Sequence, residues 1–284
     1  MRYVIAIAEN GGFQLAAERL HMAQPPLSRQ IRELERELFH RRPTRLTAEG
    51  HVFVEHARVV LADVERAVAE TRAAGGAASG VVRVGCGPMS GSTDVPSLVA
   101  AVAARHPGIT VEVSELWDSA LVSALISGDV AVGIGWHLSV GGSLARQVLR
   151  SEPYVIVVAD EHRLACKDAV DLGELSGDTF RFLPRRFAPD YYEAVLRAVH
   201  STGAEFSVWE NPLPGLRYFG DLRSGGFNVL PASMATSLPA GLTCLRMLDD
   251  VPPATLVMLW KPGTGRAVEA VAETARALGG ARIC

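Results

Sequence analysis

The sequence predicts an α/β protein with an all-α N-terminal part, and three observations carry that reading. Residues 2–50 read as short helices separated by turns, and 49–74, with no Gly or Pro after Gly50, read as one long helix. GGAASG at 75–80 then forms a small-residue hinge. Beyond it, β-branched runs alternate with helical runs, which implies α/β architecture with a largely parallel sheet. A chain of 284 residues has room for one or two domains and a sizeable core.

The N-terminal helices are punctuated by QPP at 24–26. Proline is tolerated in a first helical turn, where its missing N–H has no partner to lose, and it forces the residue before it out of helical geometry. The pair therefore ends a helix over about 13–21, which buries Ala16, Ala17 and Leu20, and starts another over 25–38. In the second helix Leu27, Ile31, Leu34 and Leu38 form one apolar stripe. Pro25, Ser28, Arg29, Arg32 and Arg36 fall on the opposite face. Two helices at a fixed angle, the second carrying short polar and Arg side chains, form a helix-turn-helix suited to the DNA major groove. The bland alternative is a solvated amphipathic helix.

In the long helix, Phe53, Ala57, Val60, Val64, Ala67, Thr71 and Ala74 repeat at alternating spacings of four and three, a heptad seam. A helix about 38 Å long cannot bury such a face alone. A partner helix from a second chain covers it, or else its own domain does.

The α/β part reads as strands at 81–86, 109–115 and 130–136 separated by helices at 94–106 and 119–128. A second set follows: strands at 154–160, 179–184, 205–210 and 227–231, with helices over 189–202 and near 214–224. The chain closes with a strand at 255–260 and the helix GRAVEAVAETARAL. Two sets imply two subdomains, one over about 80–155 and 252–284, the other over about 156–251. Ligands in such folds sit at strand ends between lobes. Four loops qualify: GPMSGST (87–93), LWDS (116–119), GWHLS (135–139) and LPRRFAP (183–189). Their candidate effector contacts are Met89, Ser90, Asp118, Trp136, Pro184, Arg185, Arg186 and Phe187. Trp136 reads equally as a cap over strand ends, His137 as plain surface, and the arginine pair as solvated.

Net charge is -3, but Arg29, Arg32, Arg36, Arg41, Arg42 and Arg45 outnumber Glu33, Glu35 and Glu37, so the 26–45 window is basic. No apolar run spans a bilayer and no signal-peptide pattern opens the chain, so no membrane partner and a cytoplasmic home are expected. Cys86, Cys166, Cys244 and Cys284 form no C-x-x-C, and neither metal nor cofactor is expected. An enzyme is the rival class. VVRVGCGPMSG has strand, glycines and helix, with Glu115 ending the next strand, as in a dinucleotide fingerprint. The glycine spacing is one residue off, and Pro88 removes a backbone donor.

AAERLHMAQPPLSRQIRELEREL (16–38) and RLTAEGHVFVEHARVVLADVERA (45–67) resemble the helix-turn-helix and linker of the LysR-type transcriptional regulators. RHPGITVEV and GGFNVLPAS resemble signatures of that family's regulatory domain. The resemblance implies a winged helix-turn-helix over 1–50, a dimerising linker and hinge over 51–79, and a periplasmic-binding-protein-like effector domain over 80–284. It implies that Gln24, Pro25, Ser28, Arg29 and Arg32 contact double-stranded DNA, with Arg41, Arg42 and Arg45 in the wing near phosphates. On the linker, Phe53, Ala57, Val60, Val64 and Ala67 pair two chains, and the family usually forms tetramers. LPRRFAP resembles the subgroup that controls aromatic-compound catabolism, whose effectors are small carboxylates. Against that pattern Asp118 replaces a usual Thr and Trp136 a usual Arg, which disfavours a dicarboxylate unless Arg185 or Arg186 compensates; Trp136, His137 and Phe187 suit an aromatic or larger apolar ligand, so the effector is expected to be an aromatic compound or a carboxylate. Relative to the family the chain starts late and FHRRPTR is short for a wing. The alternative to a full regulator is therefore a ligand-sensing dimer with impaired DNA binding.

Overall fold

A computed structural model describes residues 1–20, 22–41, 44–73, 78–91, 94–139, 144–211 and 220–280. The chain divides into two compact units, one of Met1–Gly76 with Ala124–Asp129, the other of Ala77–Ser123 and Val130–Cys284.

The first unit contains α1 (Arg2–Asn10), α2 (Phe13–Arg19), α3 (Gln24–Leu38), a hairpin of β1 (Phe39–Arg41) and β2 (Thr44–Leu46), and α4 (Ala48–Ala73). Its core joins Val4 and Ile7 of α1, Ala16 and Ala17 of α2, Leu27, Ile31 and Leu38 of α3, and Val54 of α4. Leu34, expected in the apolar stripe, is instead 39% exposed. Leu27, Ile31 and Leu38 seat α3, and Leu34, at the edge of the stripe, is left to solvent. The short wing segment is an antiparallel hairpin, with Phe39 opposite Leu46 and Arg41 opposite Thr44. The Thr47 hydroxyl donates to the carbonyl of Glu37 at 2.6 Å and accepts from the N–H of Gly50 at 3.0 Å. It thus satisfies an end of α3 and caps the start of α4. Gly50 is needed there: a Cβ would lie 2.2 Å from the carbonyl oxygen of Leu38.

Apart from Ala124–Asp129, the chain from Gly80 onward forms the second unit, which has two mixed sheets. In chain order its elements are β3 (Gly80–Cys86), α5 (Pro88–Gly91), α6 (Asp94–Arg105), β4 (Ile109–Glu115), α7 (Asp118–Ser127), β5 (Val132–Trp136), β6 (Ala145–Glu152), β7 (Tyr154–Ala159), β8 (Ala169–Val170), β9 (Thr179–Phe182), α8 (Pro189–His200), β10 (Ser207–Glu210), β11 (Phe227–Pro231), β12 (Leu242–Met247), β13 (Ala254–Trp260) and α9 (Arg266–Gly280). Sheet I runs β4-β3-β5-β13-β6 and sheet II runs β10-β9-β11-β7-β12-β8.

The expectation of largely parallel sheets is corrected. β3 pairs parallel with β4 and β5, but β13 lies antiparallel to both β5 and β6. In sheet II, β7 is antiparallel to both β11 and β12. The cause is topological. The chain leaves sheet I after β6, enters sheet II through Pro153 as β7, and returns after β12 as β13. A strand reached by such a crossing need not follow the parallel βαβ sense. β6, β8 and β12 were not foreseen. The helix expected near 214–224 lies partly outside the described residues, and its remainder is a 3₁₀ turn at Gly220–Ser224.

Candidate functional site

Gln24, Pro25 and Arg29 are exposed on α3 and Ser28 is half-buried, while Leu27 and Ile31, on the other side of the same turns, are sealed in the core. The structure thus brings these four onto one solvent-facing patch at the N-terminal end of a helix whose own orientation is locked. Arg45 is exposed on β2, opposite His40. Arg42 lies outside the described residues, as do the side chains of Arg32 and Arg41.

On α4, two of the seam positions are corrected. Ala57 is buried within the single chain and Phe53 packs on the core of its own unit. A heptad pattern does not distinguish a helix's own core from a partner's. Further along, Val60, Val64 and Val68 are 42%, 51% and 45% exposed, and Ala67 is exposed beside them. Ala74 lies outside the described residues.

In the second unit, Met89, Ser90, Asp118 and Trp136 come together around one cavity, with Gly87, Pro88, Trp117, Gly135 and Ala188. The cavity is about 10 Å³, roughly the space one water needs. Ser90 is fully buried, and its hydroxyl sits 3.0 Å from the carbonyl of Gly87 and 3.2 Å from that of Ile134. Its proton is therefore held by backbone. Asp118 is 7% exposed, and its Oδ2 is buried without a hydrogen-bond partner among the described residues, as is the indole Nε1 of Trp136. Burial first, and the charge of Asp190 second, push the Asp118 carboxyl up to about 7.

The 183–188 loop closes over this cavity through three contacts. The N–H of Asp118 donates to the carbonyl of Phe187 at 3.0 Å, the Ser119 hydroxyl donates to that of Arg186 at 3.3 Å, and the Trp117 and Phe187 rings meet at 4.9 Å. Of the loop's predicted contacts, Pro184 is buried and the other three point elsewhere. Arg185 pairs with Glu193 at 2.8 Å, Arg186 lies over the Phe187 ring at 4.6 Å, and Phe187 backs Trp117.

His137 is not plain surface, which corrects that expectation. Its φ of 53° is the only positive value among the described non-glycine residues. Its ring nitrogens lie 2.8 Å from the Tyr154 hydroxyl and 3.2 Å from that of Thr255. It therefore touches the first residue of β7 and the second of β13, the strands that follow the two crossings between the sheets. Burial, then the charges of Arg197 and Arg146, push its pKa down to about 4, so it is neutral at neutral pH.

Residues 75–279 match the model of the LysR substrate binding domain. The chain belongs to the LysR family of regulators. Residues 1–51 match a second model, the bacterial regulatory helix-turn-helix protein of the lysR family. The HTH-type transcriptional regulator TfdT of Cupriavidus pinatubonensis is 33% identical over 202 residues, covering 69% of this chain and 89% of that protein. The regulator CatR of Pseudomonas putida is 29% identical over 273 residues, covering 93% and 92%. A crystal structure of full-length CbnR complexed with its target DNA shares the fold, with a TM-score of 0.76 at 23% identity and 98% of each chain covered. This LysR-type protein is thus a DNA-binding transcriptional regulator with an effector-binding domain rather than an enzyme.

One feature of this regulator escaped sequence reasoning. Arg150 on β6 pairs with Asp94 at 2.9 Å, and its Nε lies 2.8 Å from Glu152, though that N–H is not aligned on the oxygen. It also donates to the Ser233 hydroxyl at 2.8 Å, while Glu152 accepts from the same hydroxyl and from the Ser233 N–H. Ser233 follows β11, so this cluster ties sheet I to sheet II. The guanidinium stands 5.5 Å from the Trp136 ring centroid, which connects the cluster to the cavity wall. A lone Arg in an unforeseen edge strand carried no signal.

Among the described residues no group of His, Cys, Asp and Glu is placed to hold a metal, and no helix is long and apolar enough to cross a membrane.

Proposed function

We propose that this regulator reads operator DNA with the exposed face of α3 and adjusts that contact according to a small molecule held in the cleft. The observation that carries the reading is the division of α3. Leu27 and Ile31 fix it in the core, so Gln24, Pro25, Ser28 and Arg29 are presented as a rigid set. Arg29 then reads a guanine edge or clamps a phosphate, and the wing arginines add a salt-dependent phosphate term. The exposed valines of α4 pair two copies of the chain and set the spacing of the two α3 helices along the duplex. The proposed setting is the cytoplasm.

The effector acts through its differential affinity for two lobe arrangements. The cavity is closed down to the space of a water, so an aromatic effector enters only when the 183–188 loop releases its contacts with Trp117, Asp118 and Ser119. The two crossings, with His137 between them, are the natural pivot.

Fluorescence anisotropy with DNA flanking the chain's own gene tests the first half. Arg29→Ala is expected to weaken binding to the preferred fragment by about ten- to a hundredfold, the range of one good base contact. If Arg29 serves a phosphate instead, the salt slope drops by about one. Equal binding of all fragments, unchanged in Arg29→Ala, would remove α3 as the reader.

Val64→Glu tests the second contact surface. Sedimentation velocity is expected to show a shift toward monomer, with far-UV helicity of the remaining fold retained. An unchanged assembly would mean that α4 is not the pairing surface.

A further inference from the structure

Resting on the cleft reading above, we infer that the effector is an aromatic amine bound in its ammonium form, and not a carboxylate. The argument starts from what lines the cavity. Its walls are Trp117, Trp136, Met89 and Pro88, flat or apolar surfaces suited to a ring. Its buried ionisable side chain is Asp118, whose Oδ2 has no partner among the described residues. An unpaired buried acceptor costs the protein free energy until a donor reaches it.

The charges around Asp118 point the same way. Asp190, at the start of α8, is a second carboxylate that acts on it. The arginines of the adjoining loop are committed elsewhere, Arg185 to Glu193 and Arg186 over the Phe187 ring. Arg150 is held by Asp94 and Glu152. A ligand carboxylate would therefore meet like charge, with none of these three arginines turned to receive it. An ammonium removes the conflict, since it donates to Asp118 while its ring packs on the apolar walls.

The carboxyl of free Asp118 is raised by burial and by Asp190, and a cation beside it lowers it again. Binding of an amine therefore strengthens as pH rises through 7, where Asp118 ionises. A carboxylate would show the reverse, since protonated Asp118 can donate to it and ionised Asp118 repels it. The sign of the pH dependence thus separates the two ligand classes.

The test is a titration of the full chain, followed by calorimetry and by tryptophan fluorescence. The probes are benzylamine and phenethylamine against benzoate and phenylacetate, at pH 6 and pH 8, with wild type and Asp118→Asn. The expected result is saturable binding of an amine, at least about tenfold tighter than its matched carboxylate, tighter at pH 8, and weakened at least about tenfold in Asp118→Asn. Tighter binding of a carboxylate, improved at pH 6, overturns this inference and leaves the cleft reading standing. Saturable binding by neither pair counts against the cleft as the effector site, and the inference falls with it. Because Asn matches Asp in shape, the variant is expected to fold. Its stability also provides an independent check. Asp118 is protonated in the fold up to about pH 7 but ionises near 4 when unfolded, so it weakens the wild type as pH rises across that window. Asp118→Asn is therefore expected to match wild type at pH 4 and to melt higher at pH 8. Equal melting at pH 8 would mean that Asp118 is not the unsatisfied buried carboxylate that the inference requires.

Discussion

Arg150→Met is expected to destabilise the effector-binding domain by about 3–5 kcal/mol, the range for breaking a buried ion pair by removing one partner. For a domain of this size that corresponds to a fall in melting temperature of roughly 10 °C. The side chains of Arg150, Asp94 and Glu152 are only 13%, 13% and 11% exposed, so solvent does little to screen the two carboxylates left behind. The loss belongs mainly to the two half-buried carboxylates deprived of the guanidinium and not to the net worth of the cluster. Asp94→Asn in the Arg150→Met background should therefore recover part of it, which a double-mutant cycle by urea melts measures. A loss below about 1 kcal/mol, typical of exposed pairs, would mean that water reaches the cluster.

Gly50→Ala has the second large effect, and it is confined to the DNA-binding unit. A Cβ placed 2.2 Å from a backbone oxygen cannot be accommodated by side-chain movement, so α4 must withdraw from the end of α3. Overpacking of this kind costs about 1–3 kcal/mol when side chains yield and more when backbone must. The probes are well separated: Trp117, Trp136, Trp209 and Trp260 all belong to the second unit. The variant is expected to lose helical far-UV signal and operator binding on mild warming while tryptophan fluorescence stays unchanged. Gly12→Ala is the matched control. Gly12 has an extended φ of 175° and a Cβ there meets nothing within 4 Å, so wild-type melting is expected. A Gly50→Ala protein that melts like this control would show that α3 and α4 are not in such close contact.

Much of this molecule is legible from local pattern, and what is not legible fails for identifiable reasons. The break before α3 follows from two prolines, and the long α4 from a run without Gly or Pro. Those signals are local and strong. β6 and β12 went unread because ARQVLRSE and LTCLRM mix charged or polar residues with apolar ones, and their pairing is to strands far away in sequence. The sense of β13 depends on where the chain has been, which no window of sequence contains. At the site, four loops were legible as strand-end loops, yet their contacts were not. That Ser90 is occupied by backbone, that the Asp118 Oδ2 has no partner among the described residues, and that the two loop arginines turn to Glu193 and Phe187 are outcomes of distant segments meeting. Leu34 and Ala57 show the same limit for helices: period identifies a face but not what covers it.

The double crossing between the sheets governs the order in which the polypeptide can be completed on the ribosome. β13 is the middle partner between β5 and β6, yet the whole of sheet II is synthesised before it. Sheet II has all its strands as soon as Met247 emerges, and domains fold as units during synthesis. Sheet I must wait with β5 and β6 unjoined until Ala254–Trp260 arrives, because that pairing is non-local. A nascent chain stalled before β13 therefore carries a finished lobe inside an unfinished one. The open edges of β5 and β6 are then the segments most exposed to wrong pairing, and the place where a chaperone has the most to protect.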